Sequence, residues 1–195
     1  MTDTDTDTDT DTDTAATGIP AGRTAVFEVR AQTTIAAPPA VVYDTVSDLA
    51  RSGEWSAECT GGSWVSGQPR TVGAVFRGDN VRGTDTVAWA PVIRGPWTTE
   101  SQILEAEPGR VFRWSILDSA GRLQDSVWSY EITPAGAGSL LVHHYRLGTL
   151  TEGLSKIFAD LDQAGRDRFV TDWNAKLAAD VATTLERVKA VVEQG

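Results

Sequence analysis

The chain has 195 residues, a formal net charge of −10, one cysteine and two adjacent histidines. Half of the charge lies in residues 1–24, where six Asp face one Arg; the rest is only mildly acidic, which argues against a nucleic-acid surface, since phosphate contacts need clustered Lys and Arg. No apolar run approaches the ~20 residues of a membrane-spanning helix, and the lone Cys59 cannot staple the fold, so a reducing cytoplasm is the expected setting.

Residues 1–24 are Thr-Asp repeats with almost no apolar content. Such a segment cannot offset its ordering entropy and is expected to be a disordered acidic tail. Residues 25–195 are long enough for a single domain with a sizeable core. One Cys and two neighbouring His do not make a zinc set, so no metal site and no cofactor are expected.

Residues 26–36 alternate as a first strand. Pro38-Pro39 stops it and suits a helix start, because proline's missing N–H is harmless in the first turn. Val41, Val42, Thr45, Val46 and Leu49 then space out a short amphipathic helix ending near Asp48. Residues 51–62 are punctuated by Gly and Ser and read as loop, with one further turn at Trp55.

From residue 63 the pattern changes to strands joined by tight turns, as in an antiparallel meander. Strands are expected at 63–66, 73–82, 97–107, 111–117, 123–133 and 139–147. Residues 83–96, with two Pro-bounded breaks, read as an extended loop or rim. One strand face carries Phe76, Gly78 and Asn80; others carry Phe112, Trp114 and Ile116, then Trp128, Tyr130 and Ile132. In the last strand, Leu141, His143, Tyr145 and Leu147 form the more apolar face and are assigned inward.

Residues 151–162 suggest a short helix capped by Thr151. Residues 166–193 then form a long one, with Phe169, Trp173, Leu177, Val181, Leu185, Val188 and Val192 on one side. Asp172, Lys176, Asp180 and Glu186 lie on the other, which is assigned to solvent. A long amphipathic helix must lay its stripe on a flat apolar surface, here the sheet. A twisted antiparallel sheet with helices on a single face is α+β.

This order of elements resembles the SRPBCC superfamily, the START-like or Bet v 1-like fold, and within it the polyketide cyclase/dehydrase type. The resemblance is carried by Ala37-Pro38-Pro39-Ala40-Val41-Val42-Tyr43 leading into Val46-Ser47-Asp48-Leu49, by Gly61-Gly62-Ser63-Trp64, by Gly73-Ala74-Val75-Phe76-Arg77-Gly78-Asp79-Asn80, and by Glu105-Ala106-Glu107-Pro108-Gly109-Arg110-Val111-Phe112. It implies a helix-grip fold, with the sheet wrapped around the C-terminal helix and a deep apolar cavity between them. It also implies a hydrophobic small molecule as partner. A shared fold does not transfer an activity.

The candidate ligand-binding residues are Phe76, Asn80, Trp114, Trp128, Tyr130, Phe169 and Trp173. Any one tryptophan more readily fills a core than lines a pocket, but three converging on one helix–sheet gap favour a pocket. Asn80, on an inward face beside Gly78, either bonds to backbone or waits for a ligand. His143 is the candidate catalytic residue, since imidazole titrates near neutrality; the competing reading is a histidine on an exposed strand. The inward faces show no carboxylate pair, and Arg82 sits where its side chain can reach solvent. This set fits binding of an aromatic or polycyclic molecule better than demanding catalysis. Polyketide cyclase/dehydratase activity, a carrier or sensor, and an interaction module with a vestigial cavity stay open, as does the oligomeric state.

Overall fold

A computed structural model describes residues 24–194. The Thr-Asp repeats and residue 195 lie outside the described residues. Strand β1 (Phe27–Ile35) leads into helix α1 (Pro39–Val46) and a 3-10 turn (Leu49–Glu54). Six strands follow: β2 (Cys59–Ser66), β3 (Val75–Arg82), β4 (Gly95–Glu107), β5 (Val111–Leu117), β6 (Leu123–Ala135) and β7 (Gly138–Leu147). Helices α2 (Glu152–Ala159) and α3 (Gln163–Gln194) complete the chain.

All seven strands belong to one antiparallel sheet in the order β1-β7-β6-β5-β4-β3-β2. The meander from β2 to β7 pairs neighbour with neighbour, and β1 adds to its far edge. The segment with α1 therefore carries the chain from one edge of the sheet to the other. Long α3 lies in the concave face of the curved sheet, the helix-grip arrangement.

The local chemistry explains the elements. Pro39 opens α1, whose Val42, Tyr43 and Val46 are buried. The Thr151 hydroxyl accepts the N–H of Leu154 and caps α2. Gly109 takes φ 74° in the tight turn between β4 and β5, a conformation a Cβ would strain. On α3 the expected stripe is the buried one: Phe169, Trp173, Leu177, Val181, Leu185 and Val188.

Two expectations about boundaries need correction. Strand β2 begins at Cys59, not at residue 63, because Cys59, Gly61 and Gly62 pair with Asn80, Asp79 and Gly78. Its glycines hide the strand pattern, yet they are required: a Cβ on Gly62 would sit 2.0 Å from the Arg77 carbonyl oxygen. Residues 83–94 do form the loop before β4, but its centre is packed, with Ala90 and Val92 buried. The Arg94 guanidinium donates to the carbonyls of Thr86, Val87, Ala90 and Val92 and so folds the loop around itself.

Candidate functional site

Helix α3 leans on β1, at one edge of the sheet, and touches β7 only lightly. The sheet curves away from the helix on the other side, and the gap is not filled. It forms a cavity of about 630 Å³. Its walls come from β3 to β7, from α3, from the 3-10 turn and Trp55, from the tip of the β3–β4 loop and from α2.

The sheet wall is aromatic. Strand alternation puts every second residue of β5, β6 and β7 on the concave face, and the register aligns them in rows. Trp114 lies opposite Trp128, and Trp128 opposite Tyr145. Tyr130 lies opposite His143. The rings stack: Trp128 on Tyr145 at 4.0 Å between centroids, Tyr130 on His143 at 4.3 Å, and Trp114 nearly parallel to Trp128 at 6.5 Å. All five rings line the cavity. Trp173 faces them from α3, and Phe76 adds to the wall beside Gly78.

Among the predicted polar residues, His143 and Asn80 both reach this wall. His143 is buried, with Nδ1 at 3.0 Å from the Ser129 carbonyl oxygen. A carbonyl only accepts, so Nδ1 carries the proton and Nε2 keeps its lone pair. Burial pushes the imidazole down to about 4, with the Ser129 carbonyl opposing. The ring is therefore neutral at physiological pH. The Asn80 amide nitrogen donates to the Gly78 carbonyl at 3.1 Å and to the Thr99 hydroxyl at 3.3 Å. The Tyr130 hydroxyl is raised above its ordinary value by burial.

Phe169 is brought elsewhere. It is fully buried on α3, stacked on Trp173 at 5.3 Å and edge-on to Phe158, and it does not line the cavity. The periodicity that aligned it with Trp173 is right; Phe158 of α2 and Trp89 of the β3–β4 loop meet the Phe169 ring edge-on and pack it into the core instead.

The largest correction concerns charge. Lys176 and Asp180, assigned to solvent, line the cavity together with Arg82 and Glu58. Arg82 bonds Glu58 through two nitrogens, at 2.7 and 3.0 Å, and its third nitrogen donates to the Ile93 carbonyl. Its guanidinium lies 4.6 Å from the Trp97 ring centroid and 5.0 Å from that of Trp173. Lys176 bonds both Glu58 and Asp180 at 2.5 Å. Arg82 is 9 % exposed rather than reaching solvent. Burial works to raise the Glu58 carboxyl, but Arg82 and Lys176 outweigh it and hold it below its ordinary value. Burial raises Asp180 above its ordinary value, with Lys176 opposing. The parity of Arg82 with Asn80 was the one sequence signal for this quartet. Nothing in the sequence pointed to Glu58.

Asp172, also assigned to solvent, accepts the indole N–H of Trp89 at 2.8 Å. Arg168 covers the Trp89 ring at 4.5 Å, and the ring meets Phe169 edge-on. The β3–β4 loop is thereby fastened to α3 beside the cavity. Cys59 lines the cavity as well; its sulfur accepts from the Ser52 hydroxyl and its S–H donates to the Gly61 carbonyl. Among the described residues no cluster of His, Cys, Asp and Glu forms a metal site, and no helix is long and apolar enough to cross a membrane.

Known proteins share this architecture. A polyketide-cyclase-like protein of Corynebacterium glutamicum is 26 % identical, with 87 % of this chain and 93 % of that one covered at a TM-score of 0.58. The di-domain ARO/CYC StfQ from the steffimycin biosynthetic pathway is 13 % identical; 86 % of this chain covers 50 % of that protein at a TM-score of 0.62. Ara h 8.0201 is 12 % identical, with 86 % and 98 % covered at a TM-score of 0.52. These last two share the fold. No curated protein matches the chain significantly. A family model described as polyketide cyclase / dehydrase and lipid transport matches residues 26–193. With nearly every described residue inside that match, the chain belongs to the polyketide cyclase/dehydrase and lipid transport family.

Proposed function

We propose that the cavity binds a hydrophobic aromatic or polycyclic small molecule and that the protein serves as its binding protein, in a cytoplasmic setting. The observation that carries this reading is the pair of cross-strand rows, Trp114–Trp128–Tyr145 and Tyr130–His143, which bring five aromatic rings to the wall of an unfilled space. Flat polarisable walls favour flat polarisable guests. Trp173 and Phe76 extend the apolar part of the wall, and Asn80 and His143 orient what enters. The test is titration with polycyclic aromatic ligands while tryptophan emission is followed. Quenching should saturate at one ligand per chain, and Trp128→Ala should weaken it. Absence of quenching by any such ligand sinks the reading.

A cyclase or dehydratase activity is the second reading, favoured by the lone pair of His143 Nε2 at the cavity wall and by ARO/CYC proteins among the structural neighbours. A general base must take a proton alpha to a carbonyl, and it works best when its own acidity lies near the operating pH. Burial leaves His143 a weak base at about 4, which favours binding over turnover. Incubation with a poly-β-ketone mimic separates the two. If His143 is the base, His143→Phe should lower the rate on the order of 10²–10⁴ while affinity is kept.

A further inference from the structure

Among the described strand residues that line the cavity, Gly78 is the one that lacks a side chain. It sits on the inward face of β3 between Phe76 and Asn80, and across the sheet it lies opposite Gly62 of β2 and Thr99 of β4. Glycine weakens a strand, because it loses the most conformational freedom on folding and has no side chain to pack. A glycine in this place therefore needs a reason.

Backbone geometry does not supply one. The φ of Gly78 lies outside the left-handed region, unlike that of Gly62. Crowding does not supply one either. On Gly62 a Cβ would collide with the Arg77 carbonyl. On Gly78 it would meet Cys59 Sγ at 3.4 Å, Thr99 Oγ1 at 3.4 Å and Phe76 Cε1 at 3.6 Å, which are ordinary contact distances. Alanine would fit. What the missing side chain leaves is space, a notch in the cavity wall where a guest can reach the backbone of β3.

One flank of the notch is the Phe76 ring, and the other is polar. The Asn80 amide nitrogen donates to the Gly78 carbonyl and to the Thr99 hydroxyl. The carbonyl can only accept, so the amide cannot be turned the other way, and Oδ1 is left without a partner among the described residues. The Thr99 O–H, whose oxygen accepts from Asn80, has no acceptor of its own among them. An acceptor and a donor thus stand side by side at the gap. A hydroxyl on a guest ring meets both, and a ring carbonyl meets Thr99. We infer that Gly78 determines the specificity of this cavity: the notch it leaves seats an oxygen substituent of an aromatic guest, a hydroxyl or a carbonyl, between Asn80 and Thr99. The inference rests on the binding reading above and adds to it the place and the group by which the guest is held.

Calorimetric titration of the full chain tests it with two isosteric probes, a naphthol and the methylnaphthalene that carries a methyl where the naphthol has its hydroxyl. The unmodified protein should bind the naphthol about fivefold more tightly, as one hydrogen bond requires. In Gly78→Ala, whose methyl fills the notch, that preference should fall to about twofold or less. The urea midpoint of the variant should hold or rise, because a strand glycine has been replaced at a compatible site. In Thr99→Val, which keeps the shape and deletes the hydroxyl, the preference should fall as well. A preference that survives either substitution unchanged overturns the inference and leaves the aromatic cavity standing. So does a methylnaphthalene bound as tightly as the naphthol by the unmodified protein. A lowered midpoint in Gly78→Ala, or its failure to fold, shows that the glycine is structural and overturns the inference too. Failure of both probes to bind the unmodified protein overturns the cavity reading itself.

Discussion

The ammonium of Lys176, on the helix, reaches the carboxylate of Glu58, at the sheet's outer edge, and bonds it at 2.5 Å. The two residues are 118 positions apart. Helix α3 otherwise leans on β1 at the opposite edge. This ion pair, with Arg82 and Asp180, bridges the side of the sheet that the helix leaves open, and it does so at the wall of the cavity.

Removal of Glu58 should therefore be costly. Glu58→Ala leaves Arg82 and Lys176 buried without their shared carboxylate, and we expect a loss of about 2–4 kcal/mol in urea unfolding. The exposed pair Arg51–Glu54 is the control, and Glu54→Ala should leave the midpoint unchanged within error. The carboxyl of Glu58 is held below its ordinary value of 4.5. Its contribution is thus complete above that pH and disappears as pH falls through its folded value. A Glu58→Ala loss as small as that of Glu54→Ala would mean that water screens the quartet.

His143 sets a second pH dependence. The unfolded chain binds a proton at the imidazole below about pH 6.5, whereas the folded protein resists it until about 4. Stability should decline as pH falls across that window, by about 3 kcal/mol in total. His143→Phe should flatten this part of the curve of urea midpoint against pH. An unchanged slope would show that His143 is hydrated in the folded protein.

Phe169 and Trp128 should separate stability from binding. Phe169 is packed on all sides and off the cavity, so Phe169→Ala should cost about 3–5 kcal/mol. Trp128 already faces open space, so Trp128→Ala should cost only about 1–2 kcal/mol while quenching by an aromatic ligand weakens. The reverse ranking would place the cavity on the wrong side of the helix.

The contact between Trp89 and Asp172 should govern the β3–β4 loop. Asp172→Ala deletes the acceptor of the indole N–H and should cost about 1 kcal/mol. Amide hydrogen exchange should accelerate in residues 83–94 and remain unchanged in β5 and β6. Acceleration spread evenly over the sheet would count against a local fastening.

The repeating elements were legible because their causes are local. Alternation along β5, β6 and β7 put Trp114, Trp128, Tyr130 and His143 on one face, and the four-residue steps of α3 marked its buried stripe. Pro39, Gly109 and Thr151 did their work within a few residues of themselves. The helix-grip order followed from the sequence of those elements. What only the tertiary structure decided is which polar residues face inward. Lys176 and Asp180 are spaced like any pair on a solvent-facing helix. They become cavity residues because Glu58 and Arg82, from two other elements, stand opposite them. Asp172 is covered because a loop centred some eighty residues earlier folds onto it. The gap that makes the cavity comes from sheet curvature, the sum of small twists over seven strands. Periodicity tells which side of an element is apolar; charge pairing and curvature act between elements, and no single stretch of the chain encodes them.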